Sequence, residues 1–214
     1  MPSKISKKID NSSLYVGFLH APLTALGPGI RVGLWLSGCN RACLGCIAPE
    51  LWDFPLSAIQ SVMDVHDEIA RLKDDSQATG LTISGGEPFM QADSLYALLI
   101  ACHSLKFYDI LIYSGFPISL LLKKYQWIPE YVTAIVDGAY ETDNYSSDHW
   151  RGSNNQNLTI FSSLHENYYR KWQDEEKRKV QLIVTEPDTV RFLGIPQKGD
   201  YENLKEMIKI KLTD

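Results

Sequence analysis

The chain has 214 residues, 44% hydrophobic and 22% charged, with a net charge of −5. That length suits one domain with a full core, or a domain with a small appendage. No basic stripe offers itself to a nucleic-acid backbone, and the longest mostly apolar run, near Leu95 to Ala101, is too short to span a bilayer, so no nucleic acid and no membrane is expected as a partner.

The first 13 residues, MPSKISKKIDNSS, are basic but lack an apolar h-region. They read as a flexible leader (1–13), not a secretory signal. A cytoplasmic, reducing setting follows as an expectation, and there clustered thiols serve metals or catalysis more than disulfides. SLYVGFLHAPL (13–23) and RVGLWLSG (31–38) read as strands separated by the turn-rich TALGPGI. Cys39, Cys43 and Cys46 follow at once. Ser57 is placed to cap a helix that carries Ile59, Val62, Met63, His66, Ile69 and Leu72 at helical spacing. GLTIS (80–84) is a short buried strand, and an apolar helix runs roughly from Gln91 to Leu105. DILIYS (109–114) is a further strand, PISLLLKKY a helix, and TAIVDG (133–138) a third short strand.

Strands alternating with helices imply parallel pairing and an α/β layer architecture. Each strand ends in a polar or glycine-containing stretch: SGCN, SGGEP, YSGF and VDGAY. Ligands in such folds bind at the carboxyl ends of strands, so these stretches converge on one rim. The pattern changes after Gln156. NLTIFSS reads as a strand, HENYYRKWQDEEKRK as a charged helix, KVQLIVTE and TVRFLGIP as a hairpin, and Tyr201 to Leu212 as a last helix.

Three of the four cysteines lie within eight positions, three residues and then two apart. Four thiolates close the shell of zinc or of a simple iron–sulfur cluster, whereas three leave one metal position open for chemistry. One reading is structural zinc with a borrowed ligand, although no second CxxC or HxxxH exists. Another is an electron-transfer cluster closed by Cys102, which lies in an apolar helical stretch where a free cysteine is more often core. A third is a three-cysteine [4Fe–4S] cluster. The five histidines are scattered and none is assigned to a metal.

The CNRACLGC spacing, followed by SGGEP (84–88) at the end of a strand, resembles the radical S-adenosylmethionine (SAM) enzymes. The resemblance implies that Cys39, Cys43 and Cys46 hold a [4Fe–4S] cluster. In that family the open iron binds the amino and carboxylate groups of SAM, and one electron breaks a C–S bond to give a 5′-deoxyadenosyl radical. The implied SAM-binding residues are Gly45, Ile47, Gly85, Gly86, Glu87, Pro88, Ser114 and Asp137. Gly85 and Gly86 admit close backbone approach and Glu87 can fix the loop, while Pro88 stiffens it. Chemistry rests with the cluster and SAM, with no catalytic side chain beyond them.

LGPGIR (26–31), CLGCIAPELW, YSGF (113–116), VDGAY (136–140) and WRGSNNQ (150–156) resemble, in order, elements of the glycyl radical enzyme activases, especially the activase of anaerobic ribonucleotide reductase. Leu44 stands where that branch usually has proline, and IAPE where it has an asparagine-containing turn. The resemblance implies an α/β fold, a truncated β/α barrel over residues 14–156, with an α+β extension at 157–214 packed on it. The implied partner is a glycyl radical enzyme or other protein substrate that yields a hydrogen from a glycine. The implied electron donor is a flavodoxin or ferredoxin. A small-molecule enzyme such as 7-carboxy-7-deazaguanine synthase, or a non-catalytic iron–sulfur or zinc module, remains the alternative. Every matched motif precedes residue 157, so the extension is expected to select the partner and to take no part in the site.

Overall fold

The computed structural model describes residues 9, 12–175, 180–186, 189–196 and 199–200. Seven strands form one mixed sheet: β1 (Ser13–Leu23), β2 (Arg31–Leu36), β3 (Ile59–Ser61), β4 (Gly80–Gly85), β5 (Asp109–Ser114), β6 (Ala134–Asp137) and β7 (Asn157–Ile160). Their order is β3-β1-β2-β4-β5-β6-β7. The four central strands β2, β4, β5 and β6 are parallel, while β1, β3 and β7 pair antiparallel. Among the described residues the sheet ends at β3 and β7.

The helices are α1 (Val62–Ser76), α2 (Ala92–Cys102), α3 (Ile118–Lys124), α4 (Ile128–Tyr131) and α5 (Glu166–Gln173). Successive strand residues point to opposite faces, and here both faces are apolar. Val32, Leu34, Leu36, Leu81, Ile83, Ile112 and Ile135 pack with Val65 and Ile69 of α1 and Leu95, Leu98 and Leu99 of α2. The intervening residues Leu111, Ala134 and Val136 pack against Tyr169 and Trp172 of α5. Trp35 packs near Leu193 of an antiparallel hairpin, β8 (Gln181–Glu186) and β9 (Thr189–Leu193). Double-sided cover explains why these strands read as near-continuous hydrophobic runs. Each large side chain fully buried contributes roughly 1.5–3 kcal/mol.

Ser61, not Ser57, caps α1, its hydroxyl accepting from the Asp64 N–H at 3.0 Å. Residues 59–61 stay extended because they pair with Ser13–Tyr15 as β3, so strand pairing overrides the helical spacing that begins at Ile59. The extension expected from residue 157 begins at β7. β7 hydrogen-bonds along β6, with Val136 opposite Leu158 and Ala134 opposite Ile160. The extension therefore starts as a strand of the main sheet and ends on its second face. The expected leader, save Ile9 and Ser12–Ser13, and the expected helix Tyr201–Leu212 lie outside the described residues.

Candidate functional site

The loop that leaves β2 is closed at its base by paired backbone bonds. Gly38 N–H donates to Leu51 O and Cys39 N–H to Trp52 O, both at 2.8 Å. The loop after β4 is stitched to the same base, with Gly86 N–H on Leu36 O at 2.7 Å and Glu87 N–H on Gly38 O at 2.9 Å. Two strand ends that are parallel neighbours in the sheet thus present their loops side by side.

Gly85 has φ +110°, and a Cβ there would strike the Leu36 backbone. At Gly86 a Cβ would sit 2.5 Å from Gly38 O and 2.8 Å from Leu51 O. Both glycines are required by backbone, which cannot move aside as a flexible side-chain tip can. The Gly86 Cβ direction points into the base of the cysteine loop.

Glu87 is buried, with both oxygens engaged. Oε1 accepts from Phe89 N–H at 3.1 Å and from the Ser114 hydroxyl at 2.9 Å, and Oε2 accepts from Gly115 N–H at 2.7 Å. It ties the β4 loop to the turn after β5. Burial pushes its carboxyl above the usual carboxylate range, against the pull of those donors and of the nearby Arg41 charge. Ser114 also accepts from Phe116 N–H at 3.1 Å, so its hydroxyl is used within the turn.

These loops surround one cavity of about 210 Å³. Cys39, Cys43, Gly45, Cys46, Ile47, Gly85, Gly86, Glu87 and Ser114 all line it. Pro88 and Asp137 do not. Pro88 is buried at the start of the turn into α2, and Asp137 accepts Ile118 N–H of α3 at 2.8 Å through one oxygen, the other being buried without a partner. Burial pushes the Asp137 carboxyl up. Cys102, the last residue of α2, faces the core, 1% exposed, its thiol pushed up to about 12 by burial. That position removes it as a fourth ligand.

All four cysteines are free. Among the described residues no three Cys, His, Asp or Glu side chains converge where a single metal ion could be held. Cys39, Cys43 and Cys46 instead share one cavity wall, a set that would hold a 4Fe-4S cluster through three thiolates with one iron left open. Burial pushes the Cys39 thiol up, while the backbone amides of Arg41 and Ala42 pull it down. Those amides favour the thiolate that a metal needs. On the same wall, Arg41 Nε, Trp52 Nε1 and the Tyr145 hydroxyl are buried without hydrogen-bond partners. Unsatisfied buried donors are costly, and a polar ligand in the cavity would satisfy them.

Other lining residues lie outside the implied SAM-binding set, although Tyr140, Gly152 and Gln156 fall within VDGAY and WRGSNNQ. Arg41 sits between two cysteines and stacks over Phe116 at 5.0 Å. Tyr140, Tyr145, Gly152 and Gln156 come from the loop between β6 and β7. Gln156 accepts from Gly152 N–H at 2.8 Å and donates to Gly138 O at 2.9 Å. Arg151 donates to Asp148 at 2.7 Å and to Gln156 O at 2.9 Å. The WRGSNNQ stretch is thus a self-bonded loop. Ile195 and Pro196, just past β9, complete the wall. The extension, expected to select the partner and to take no part in the site, thus contributes two residues to the cavity wall.

A sequence model of the 4Fe-4S single cluster domain matches residues 25–159. The anaerobic ribonucleoside-triphosphate reductase-activating protein of Enterobacteria phage T4 is 32% identical over 135 residues, 62% of this chain and 85% of that protein. The pyruvate formate-lyase-activating enzyme of Listeria monocytogenes is 37% identical over 81 residues, 37% of this chain, and the match spans just 33% of that enzyme's length. A crystal structure of QueE from Escherichia coli overlaps 54% of the chain and 57% of its own, at 18% identity and a TM-score of 0.45, too loosely to bear on function.

Proposed function

The chain belongs to the 4Fe-4S single cluster domain family, and from that premise we propose that it is a radical SAM activating enzyme that takes a hydrogen atom from a glycine of a partner enzyme. The observation that carries this reading is the meeting of three free thiols and the SGGEP loop on one cavity at the ends of adjacent parallel strands. The relatives are named as activating proteins of a reductase and a lyase, which supports a protein as substrate.

In this reading Cys39, Cys43 and Cys46 hold the cluster, and the backbone of Gly85 and Gly86 approaches SAM. Bound there, the cluster supplies one electron to SAM, and SAM the fragment that abstracts hydrogen. The chain's own part is placement. Glu87 holds the β4 loop against the β5 turn, Gly38 and Leu51 close the cysteine loop, and Ile47, Ile195 and Pro196 present apolar surface that excludes water. The strands are read as a partial barrel whose inner face α5 and the hairpin cover. The electron donor is a flavodoxin or ferredoxin.

The enclosure by Ile195 and Pro196 favours a second reading, in which a small molecule enters the cavity. Anaerobic reconstitution with iron and sulfide, followed by SAM cleavage under dithionite, tests the shared chemistry. Absence of cleavage with a full cluster rejects both readings. A glycine-centred radical in the electron paramagnetic resonance spectrum of an added partner supports the activase, and turnover of a small molecule without that radical supports the alternative.

A further inference from the structure

Arg41 and Glu87 are the charged side chains on the cavity wall among the described residues. They are not equivalent. Glu87 has both oxygens engaged by three donors, so most of its acceptor capacity is already used. Arg41 has its Nε buried without a partner. Its stem packs on the turn after β5, since a Cβ at Gly115 would lie 2.6 Å from Arg41 Nε and 2.7 Å from Cδ. Its guanidinium carbon stands 5.0 Å over the Phe116 ring. The side chain is thus held from two sides, and much of the entropy cost of fixing a long cation is met before any ligand arrives. A guanidinium so held, in a cavity whose one carboxylate, Glu87, is already bonded by three donors, is a preformed site for a carboxylate, which it can take through two parallel N–H···O bonds.

Resting on the function proposed above, we infer that Arg41 is the anchor for the carboxylate of SAM, and that the Cys39–Cys43 segment therefore binds the co-substrate through a side chain as well as holding the metal group. The carboxylate is the one anionic group of SAM, so the match of chemistry is specific.

The test compares SAM with decarboxylated SAM, which keeps the amine, sulfonium and adenosine. Dissociation constants are measured by anaerobic equilibrium dialysis on cluster-loaded wild type, Arg41→Gln and Arg41→Lys, each with iron and sulfide counted. Wild type should prefer SAM, and Arg41→Gln should lose at least about 10-fold of that preference, the loss of a charge-assisted hydrogen bond, with affinity for decarboxylated SAM little changed. Arg41→Lys keeps the charge but not the fork, so it should lose less. Should Arg41→Gln fail to load its cluster, the same selective loss must appear in Arg41→Lys. Equal weakening of both ligands, or an unchanged preference in either loaded variant, overturns the assignment. If loaded wild type binds neither ligand, the SAM reading itself fails and this inference falls with it.

Discussion

Arg31, in the first position of β2, and Asp109, in the first position of β5, form a buried ion pair across β4, the strand between their own. Arg31 also donates to Thr82 Oγ1 at 2.6 Å and to Pro28 O and Leu81 O at 2.9 Å, and the Tyr169 hydroxyl donates to Asp109 at 3.2 Å. The pair thus fastens the amino ends of three strands, the turn before β2 and α5. It sits at the opposite end of those strands from the cysteine loop.

Breaking this pair from one side leaves an uncompensated buried charge. Asp109→Asn is expected to cost about 3–5 kcal/mol, a large share of a stability of roughly 5–15 kcal/mol. Arg31→Met should cost a similar amount. Urea unfolding followed by tryptophan fluorescence reads both. The double variant should cost less than the sum of the singles, and additive losses would show that the two residues act independently.

Cluster ligation separates the cysteines. Cys39→Ala, Cys43→Ala and Cys46→Ala are each expected to lose most of the bound iron and sulfide and the visible absorption after anaerobic reconstitution. Cys102→Ala removes a buried thiol from the end of α2, so it should keep the full count and cost about 1 kcal/mol of stability. Iron loss in a folded Cys102→Ala protein would return Cys102 to the ligand set.

At Gly86 the surrounding backbone sets a different expectation from that of the motif alone. A glycine beside a ligand loop is expected to admit the ligand, so a larger residue should block SAM and spare the cluster. The Cβ direction is instead toward Gly38 O and Leu51 O, the backbone that closes the cysteine loop. Gly86→Val is therefore expected to lower iron content together with SAM binding, with a stability loss of about 1–3 kcal/mol. Full iron content in this variant, measured beside wild type, would contradict the steric argument.

What the sequence reveals depends on how local the cause is. β1, β5 and the β8–β9 hairpin lie where period and turn chemistry put them, because each run is bounded by its own Gly, Pro or polar residues. Ser57 misleads because the competing partner for residues 59–61 is β1, more than 40 residues away in sequence. The cysteines and SGGEP are legible because their spacing reflects the chemistry they serve. Tyr145 and Ile195 are not, since nothing in their neighbourhood distinguishes a cavity wall from a surface turn until the sheet brings distant strand ends together; Arg41 lies inside the cysteine motif, but the Phe116 ring and Gly115 turn that hold it come from after β5. Arg31 is visible within LGPGIR, but its partner Asp109 is not, because a buried pair is set by register across β4.

The extension offers the last test. Residues beyond the 25–159 match carry Tyr169 and Trp172, buried against Leu111, Ala134 and Val136, and place Ile195 and Pro196 on the cavity. The hairpin is held to the core by Gln181, which accepts from Thr24 N–H at 2.7 Å and donates to Pro22 O at 2.9 Å, and by Arg191 stacked 4.6 Å over Phe18. A chain ended at Ser162 would expose the second face of the sheet and remove the Tyr169 bond to Asp109, so it is expected to lose its near-ultraviolet circular dichroism. Trp172→Ala alone should cost about 3–5 kcal/mol. Such variants report on folding and cannot isolate the site. Ile195→Ala can: it trims one apolar side chain at the hairpin's end and leaves both Gln181 bonds in place. It should keep the cluster and the fold while weakening SAM binding or partner activation several-fold. If both are unchanged in the loaded, folded protein, Ile195 is packing alone and the extension's part in the site is confined to holding the sheet closed on that face.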